Sequence, residues 1–127
     1  MEKLLFYAAG NREKEKKLAQ LAAMLGMEFV CIKPMQTGQQ IGYLAGVEGF
    51  YEKKMSVLEN APFLPEEMLV FCGLAGDRLD HVLNMLRGSG LPVSLKAVMT
   101  AHNVGWTVAA LYRELTAERM QFQEKRP

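Results

Sequence analysis

The fold is decided by residues 68–100, which read MLVFCGLAGDRLDHVLNMLRGSGLPVSLKAVMT. Met68–Leu74 is apolar at nearly every position, which is typical of a strand covered on both faces in the middle of a parallel sheet. Asp77 follows as the expected N-cap of an amphipathic helix, because apolar residues then recur at i, i+3, i+4 and i+7. Val93–Thr100 supplies another strand. The stretch therefore predicts a strand, a helix and a second strand.

The same alternation precedes this unit. Lys3–Ala9 is a short apolar run, and Asn11 is a good N-cap for a helix whose apolar spacing repeats the one above. Gly26 stands where a helix C-terminus favours a left-handed residue. Glu28–Lys33 is a second short apolar run. A strand–helix–strand unit is therefore complete before Pro34.

Residues 34–67 break this alternation with glycines and prolines, and only Gln40–Ala45 has the pattern of a short helix. After Thr100, a polar turn precedes a third amphipathic helix from about Trp106 to Phe122. We therefore expect residues 1–127 to form a single α/β domain with an irregular insert at about residues 34–67.

The predicted order β, α, β, insert, β, α, β, α fits two folds. One is a small three-layer α/β fold with a sheet of about four parallel strands. The alternative is a ferredoxin-like split βαβ fold with an extra C-terminal helix. Strands covered on one face alternate apolar with polar residues, whereas Leu4–Ala9 and Met68–Leu74 do not, so the parallel sheet is favoured.

Charge and cysteine content limit the function classes. The chain has 15 basic and 14 acidic residues, so no overall field attracts nucleic acid or an anionic membrane. The basic run Arg12–Lys17 is interrupted by glutamates and is interpreted as a solvated helix face. Leu4–Ala9 is too short for a signal sequence or membrane span. Cys31 and Cys72 lie in apolar runs, which predicts buried free thiols in a cytoplasmic protein.

Motifs for catalysis are missing from the sequence. The turn at residues 73–76 lacks the third glycine of a dinucleotide site and the Gly-Lys-Ser/Thr of a P-loop. His81 and His102 have no cysteine or second histidine at zinc-ligand spacing. No nucleophile elbow or activated thiol is visible. We therefore predict no catalytic residue, no metal and no cofactor, and the sequence disfavours an enzyme.

Polar residues follow the first, third and fourth predicted strands. Because the carboxyl ends of parallel strands meet at one edge of a sheet, these side chains are predicted to converge on one ligand-binding cleft. They are Asn11, Asp77, Thr100, His102 and Asn103. The alternative is that Thr100 and Asn103 satisfy backbone groups and cap the third helix, with Trp106 closing the core beside them.

The irregular insert contains a second group of candidate residues. Amide, phenol and apolar side chains lie there among glycines, and long loops of this kind are often functional. An interaction surface is predicted at Gln40, Tyr43, Leu44 and Phe50. The alternative is that the apolar members of this segment pack on the sheet as a short helix and lid.

Three patches of the sequence are Gln40–Gly46, Glu67–Phe71, and Leu95–Thr100 with Asn103, Trp106 and Thr107. Together they resemble a family of small bacterial proteins known as a domain of unknown function. The resemblance covers most of the chain and is most specific over residues 67–118. It implies a bacterial cytoplasmic protein, and the family supplies no activity, cofactor or catalytic residue.

These observations favour a noncatalytic binding or regulatory domain of a bacterial cytoplasmic protein. One alternative is a small-molecule or nucleotide-binding protein, or an enzyme, that uses the strand ends. Another is an oligomeric assembly subunit joined through residues 39–51, with a homo-oligomer as the simplest case. The sequence identifies no partner, and neither nucleic acid nor a membrane is expected.

Overall fold

The structure, a computed structural model, describes residues 1–54 and 63–124, with side chains described to residue 120. Residues 55–62 of the predicted insert, and the last three residues of the tail, lie outside the described residues. The helices and strands are β1 Lys3–Tyr7, α1 Arg12–Met24, β2 Glu28–Ile32, a 3-10 turn Pro34–Gln36, α2 Ile41–Leu44, β3 Met68–Cys72, α3 Gly76–Gly88, β4 Leu95–Val98 and α4 Val108–Glu124. The predicted α/β class and order of elements are confirmed.

All four strands lie in one sheet with the order β2-β1-β3-β4. The pairs β1/β2 and β3/β4 are parallel, whereas the central pair β1/β3 is antiparallel, with Leu5 opposite Val70. The prediction of an all-parallel sheet is therefore wrong for the central pair. A single helix connects the two strands of each parallel pair. Residues 33–67, which connect β2 to β3, are long enough to allow β3 to run either parallel or antiparallel to β1.

The ferredoxin-like alternative is also wrong. In a split βαβ unit another strand lies between the two parallel strands. Here β1 is hydrogen-bonded to β2, and β3 to β4. The sheet therefore consists of two compact βαβ units that meet at the antiparallel pair β1/β3.

The elements form three layers, as predicted. On one face, Leu4 and Phe6 of β1 and Phe71 of β3 pack against α1 and α3. On the other face, Leu5 and Val70 pack against α2 and α4. Both central strands are covered on both sides, which explains why their sequences are apolar runs without alternation.

Two of the three predicted helix-end positions are confirmed. The Asn11 side chain accepts a hydrogen bond from the Lys14 amide at 3.1 Å, as an N-cap does. Gly26 has a φ of 70°, the left-handed conformation expected after a helix. Asp77 is not a cap, because α3 begins at Gly76 and Ala75 is its N-cap residue. The Asp77 carboxylate lies instead in the first turn, where the helix dipole favours a negative charge.

Both cysteines are free thiols, but only Cys72 is buried, and Cys31 is half-buried rather than buried as predicted. Cys31 is the sheet neighbour of Phe6 and faces α1, whereas Cys72 lies in the core on the α4 side. Desolvation raises the pKa of each thiol to about 11. Because the two side chains lie on opposite faces of the sheet, they cannot form a disulfide with each other.

Candidate functional site

The antiparallel central pair separates the carboxyl ends of the strands. Those of β1 and β2 lie at one edge of the sheet, and those of β3 and β4 at the opposite edge. Asn11 follows β1 and lies at the first edge, whereas Asp77, Thr100, His102 and Asn103 follow β3 or β4. The predicted convergence of these five residues on one cleft is therefore wrong, because it required all strands to be parallel.

Asn11 belongs to a polar network at the first edge. Its Nδ2 donates a hydrogen bond to Glu67 Oε1 at 3.1 Å, while its Oδ1 caps α1. Lys14 Nζ donates to Glu67 Oε2 and to the Pro92 carbonyl, both at 2.7 Å. The network joins the beginning of α1 to the residue before β3 and to the segment before β4, so the Asn11 side chain has structural partners on both of its polar atoms.

The turn after β4 is held by its own side chains. The Thr100 amide donates to Asn103 Oδ1 at 2.8 Å, and Asn103 Nδ2 donates to the Val98 carbonyl at 3.0 Å. Thr100 Oγ1 accepts from the amides of His102 and Asn103 at 3.2 and 3.3 Å. These contacts agree with the alternative in which Thr100 and Asn103 satisfy backbone groups. Asn103 does not cap α4, however, because Thr107 Oγ1 accepts the Ala110 amide at 3.1 Å.

Asp77 and His102 are exposed at the second edge. The His102 ring packs on Trp106 in an edge-on arrangement, with ring centroids 5.1 Å apart. Asp77 extends from the first turn of α3, which covers the other face of the sheet. A ligand at these two residues, or at Thr100, stays a prediction.

Replacement of Asn103 by alanine is expected to lower the free energy of unfolding by about 1–3 kcal/mol, because the buried side chain bonds both the Thr100 amide and the Val98 carbonyl. Asn84→Ala is the matched control, since Asn84 is exposed on α3 and should change stability by less than about 0.5 kcal/mol. Urea unfolding followed by circular dichroism measures both. Equal stabilities of the two variants would show that Asn103 does not hold the turn.

The predicted interaction surface is only partly exposed. Leu44 is 9% exposed and packs in the core beneath α4, so it cannot belong to an external surface. Gln40 Nε2 donates to the Gly105 carbonyl at 2.9 Å, and the Phe50 ring lies against Gly42. Tyr43 is half-buried, and its hydroxyl bonds Glu52 at 3.3 Å. The segment therefore packs on the sheet as a short helix with a covering loop, which was the structural alternative.

A groove that was not predicted lies at the first edge, where the parallel strands β1 and β2 end. Its volume is about 700 Å³, and α1 forms one wall. Ala19, Phe29 and Ile32 give it an apolar floor. The charged side chains that line it are Arg12, Glu15, Lys16 and Lys33. We call this depression the basic groove.

The charges of the basic groove are unbalanced. Arg12, Lys16 and Lys33 form no ion pair with any carboxylate in residues 1–54 and 63–120. Glu15 is the acidic residue of the groove, and its carboxylate accepts a hydrogen bond from the Cys31 thiol.

Burial raises the pKa of Cys31, and the hydrogen bond to Glu15 raises it further, so the thiol is protonated at neutral pH. Cys31 is therefore a poor nucleophile.

The loop from β1 to α1 lines the basic groove with a strained backbone. Ala9 has a φ of 50° and Gly10 a φ of 89°, both in the left-handed region. For alanine this conformation costs about 1–2 kcal/mol, and such strain is concentrated at functional sites. No pattern in the sequence marks Ala9. The basic run Arg12–Lys17 is interpreted from its sequence as a solvated helix face, so it does not predict the groove.

Two kinds of feature are missing from the described residues. No group of three or more histidine, cysteine, aspartate or glutamate residues in this part of the chain could hold a metal ion. Among the helices of residues 1–54 and 63–124, none has both the length and the apolar character required to cross a membrane.

The second half of the chain is similar to a known protein family. Residues 67–122 match the model of a Domain of unknown function (DUF3783), which confirms the resemblance over that range. The matched range includes β3, α3, β4 and most of α4, and it excludes the residues that line the basic groove. No curated protein and no solved structure matches the chain.

Proposed function

We propose that this chain, of which residues 67–122 match the model of a domain of unknown function, is a noncatalytic binding or regulatory domain of a bacterial cytoplasmic protein. In this proposal the domain binds a small anionic molecule in the basic groove. One observation carries the proposal. Three cationic side chains line a groove of about 700 Å³ and have no carboxylate partner in the described part of the chain.

The place and size of the basic groove suit a small ligand. Binding clefts of proteins commonly have volumes of about 300–1,000 Å³, with apolar walls and a few polar groups. In α/β sheets they lie beyond the carboxyl ends of parallel strands. Tyr7 and Ile32 end the parallel strands β1 and β2 and line this groove. Phe29 offers an apolar contact, so a ligand with an apolar body and a carboxylate or phosphate fits the lining best.

The reactive groups of the basic groove are already engaged, which supports binding rather than catalysis. The Cys31 thiol has a pKa of about 11, and the neighbouring Glu15 carboxylate is occupied by that thiol. The Tyr7 hydroxyl donates to the Leu64 carbonyl at 2.8 Å on the other face of the sheet. The side chains that remain available are cations, which hold an anion without reacting with it.

The test compares two triple variants that lose the same charge. In the first, Arg12, Lys16 and Lys33 of the groove become glutamine. In the control, the exposed residues Arg113, Lys53 and Lys54 become glutamine. Thermal unfolding is followed with phosphate, citrate and adenosine monophosphate, at an ionic strength fixed with sodium chloride. An anion at about 100 times its Kd stabilises the protein by about 2.7 kcal/mol, which raises Tm by several degrees.

We expect at least one of these anions to raise the Tm of the wild-type chain and of the control variant, and to leave the groove variant unchanged. The same shift in both triple variants would show that the anion acts elsewhere. No shift of the wild-type Tm with any of the three anions would contradict the proposal.

A further inference from the structure

A second groove lies on the opposite half of the molecule. It has a volume of about 520 Å³ and runs between the C-terminal half of α3 and the segment that leads into β4. Leu83, Leu86, Leu91 and Val93 form its walls, and Arg87 and Lys96 also line it. We call it the apolar groove. None of its lining residues belongs to the basic groove.

The apolar groove lies beside the longer of the two helix-to-strand connections. In the first βαβ unit, residues 25–27 join α1 to β2, whereas in the second unit residues 89–94 join α3 to β4. The longer connection turns back at Gly90, which has a φ of 66°, and the Leu91 amide donates to the Leu86 carbonyl at 3.1 Å. This turn holds Leu91 against α3, and the apolar groove lies beside it.

The two cations of the apolar groove have only neutral partners in the described residues. The Arg87 guanidinium donates to Asn84 Oδ1 at 2.8 Å, and the Lys96 ammonium donates to the Val93 carbonyl at 2.7 Å. Neither forms an ion pair with a carboxylate in the part of the chain that the structure describes. An apolar cleft whose two cations form no ion pair within the described residues is complementary to a molecule that has an apolar body and one anionic end.

We infer that the apolar groove binds a medium-chain carboxylate, whose hydrocarbon chain lies on the leucine walls and whose carboxylate is bound by Arg87 and Lys96. Guanidinium and ammonium groups donate strong, charge-assisted hydrogen bonds to carboxylates. Each methylene group that enters an apolar site contributes about a fourfold gain in affinity. The site is separate from the basic groove, and the inference does not rest on the proposed function.

The experiment titrates the full chain, labelled with ¹⁵N, with sodium hexanoate, octanoate and decanoate below their micelle concentrations. Amide chemical shifts report both the Kd and the place of binding. Octanol and octyltrimethylammonium have the same chain length without the negative charge. We expect saturable shifts at residues 83–96, and at least tenfold weaker binding of octanol and octyltrimethylammonium than of octanoate. We also expect a gain in affinity of at least about tenfold from hexanoate to decanoate, which corresponds to two or more of the four added methylene groups entering the groove at about fourfold each.

The variant Arg87→Gln/Lys96→Gln should lose at least tenfold in octanoate affinity and keep its affinity for octanol. Its control is Lys53→Gln/Arg113→Gln, which loses the same charge at exposed positions outside the groove. Both variants keep the wall residues, and their folding is checked by circular dichroism. Absence of saturable binding, equal octanoate affinity in both variants, or shifts confined to residues 9–34 would overturn the inference. Equal affinity for octanol and octanoate would overturn it too, because the groove would then be a site for neutral chains.

Discussion

Replacement of Phe71 by alanine is expected to lower the free energy of unfolding by about 3–5 kcal/mol. Phe71 is 1% exposed and lies in β3, a central strand with all five residues buried. Its ring packs in the layer between the sheet and helices α1 and α3. Alanine leaves a cavity there that the helices and the sheet fill only in part. Urea or thermal unfolding measures the loss.

The matched control for Phe71 is the same substitution at Phe63, which is 80% exposed. Phe63→Ala removes a ring that water already surrounds, so stability should change by less than about 0.5 kcal/mol. If both variants unfold at the same urea concentration, Phe71 does not lie in a packed layer, and the placement of β3 at the centre of the sheet is wrong.

Gly42→Ala is expected to lower the free energy of unfolding by about 1–3 kcal/mol, because the position has no room for a methyl group. A Cβ at Gly42 would lie 2.8 Å from Cγ and Cδ2 of Phe50 and 2.9 Å from Cγ2 of Val104. The absence of a side chain at Gly42 therefore allows α2 to pack closely against the covering loop and against the turn before α4. Accommodation of the methyl group requires these side chains, or the backbone of α2, to move.

Gly88→Ala is the control for crowding at Gly42. Gly88 ends α3, and a Cβ there would meet no atom within 4 Å. Alanine should be neutral at Gly88, or stabilising by up to about 1 kcal/mol, because it restricts the unfolded chain. A second check places Gly42→Ala in a Phe50→Ala background, where the cost should be smaller because one of the two obstructing side chains is gone. A cost at Gly42 no greater than at Gly88 would contradict the close packing.

The regular elements were predictable because their apolar spacing depends on local geometry. The run at β3 and the helical stripe after it are visible in the sequence for that reason. The direction of β3 was not predictable, because a strand buried on both faces has the same apolar pattern whether its neighbour is parallel or antiparallel. Residues 33–67, which connect β2 to β3, permit both directions. One wrong direction was sufficient to separate Asn11 from the other four predicted site residues.

The candidate sites show a similar limit. The alternative in which Asn103 satisfies backbone groups agrees with the turn, but its partner Val98 is specified by the path of the turn and not by local spacing. The basic groove was missed because a helix face with mixed charges has the same sequence pattern whether it borders water or a cleft. Arg12 and Lys16 on α1 line the candidate groove together with Lys33, which follows β2, and this juxtaposition depends on the fold.

Within residues 67–122, the range matched by the family model, strand β3 is hydrogen-bonded along one side to β1, which lies outside that range. Without β1, the hydrogen-bonding edge of β3 would be open along a strand whose five side chains are all buried. Such an edge invites association with another chain. In this protein β1 of the first βαβ unit forms the backbone hydrogen bonds of that edge, as the strand of a second subunit does across the interface of a two-fold dimer. Residues 67–122 therefore contain one half of the sheet, and β3 in this segment is paired with β1, which lies outside it.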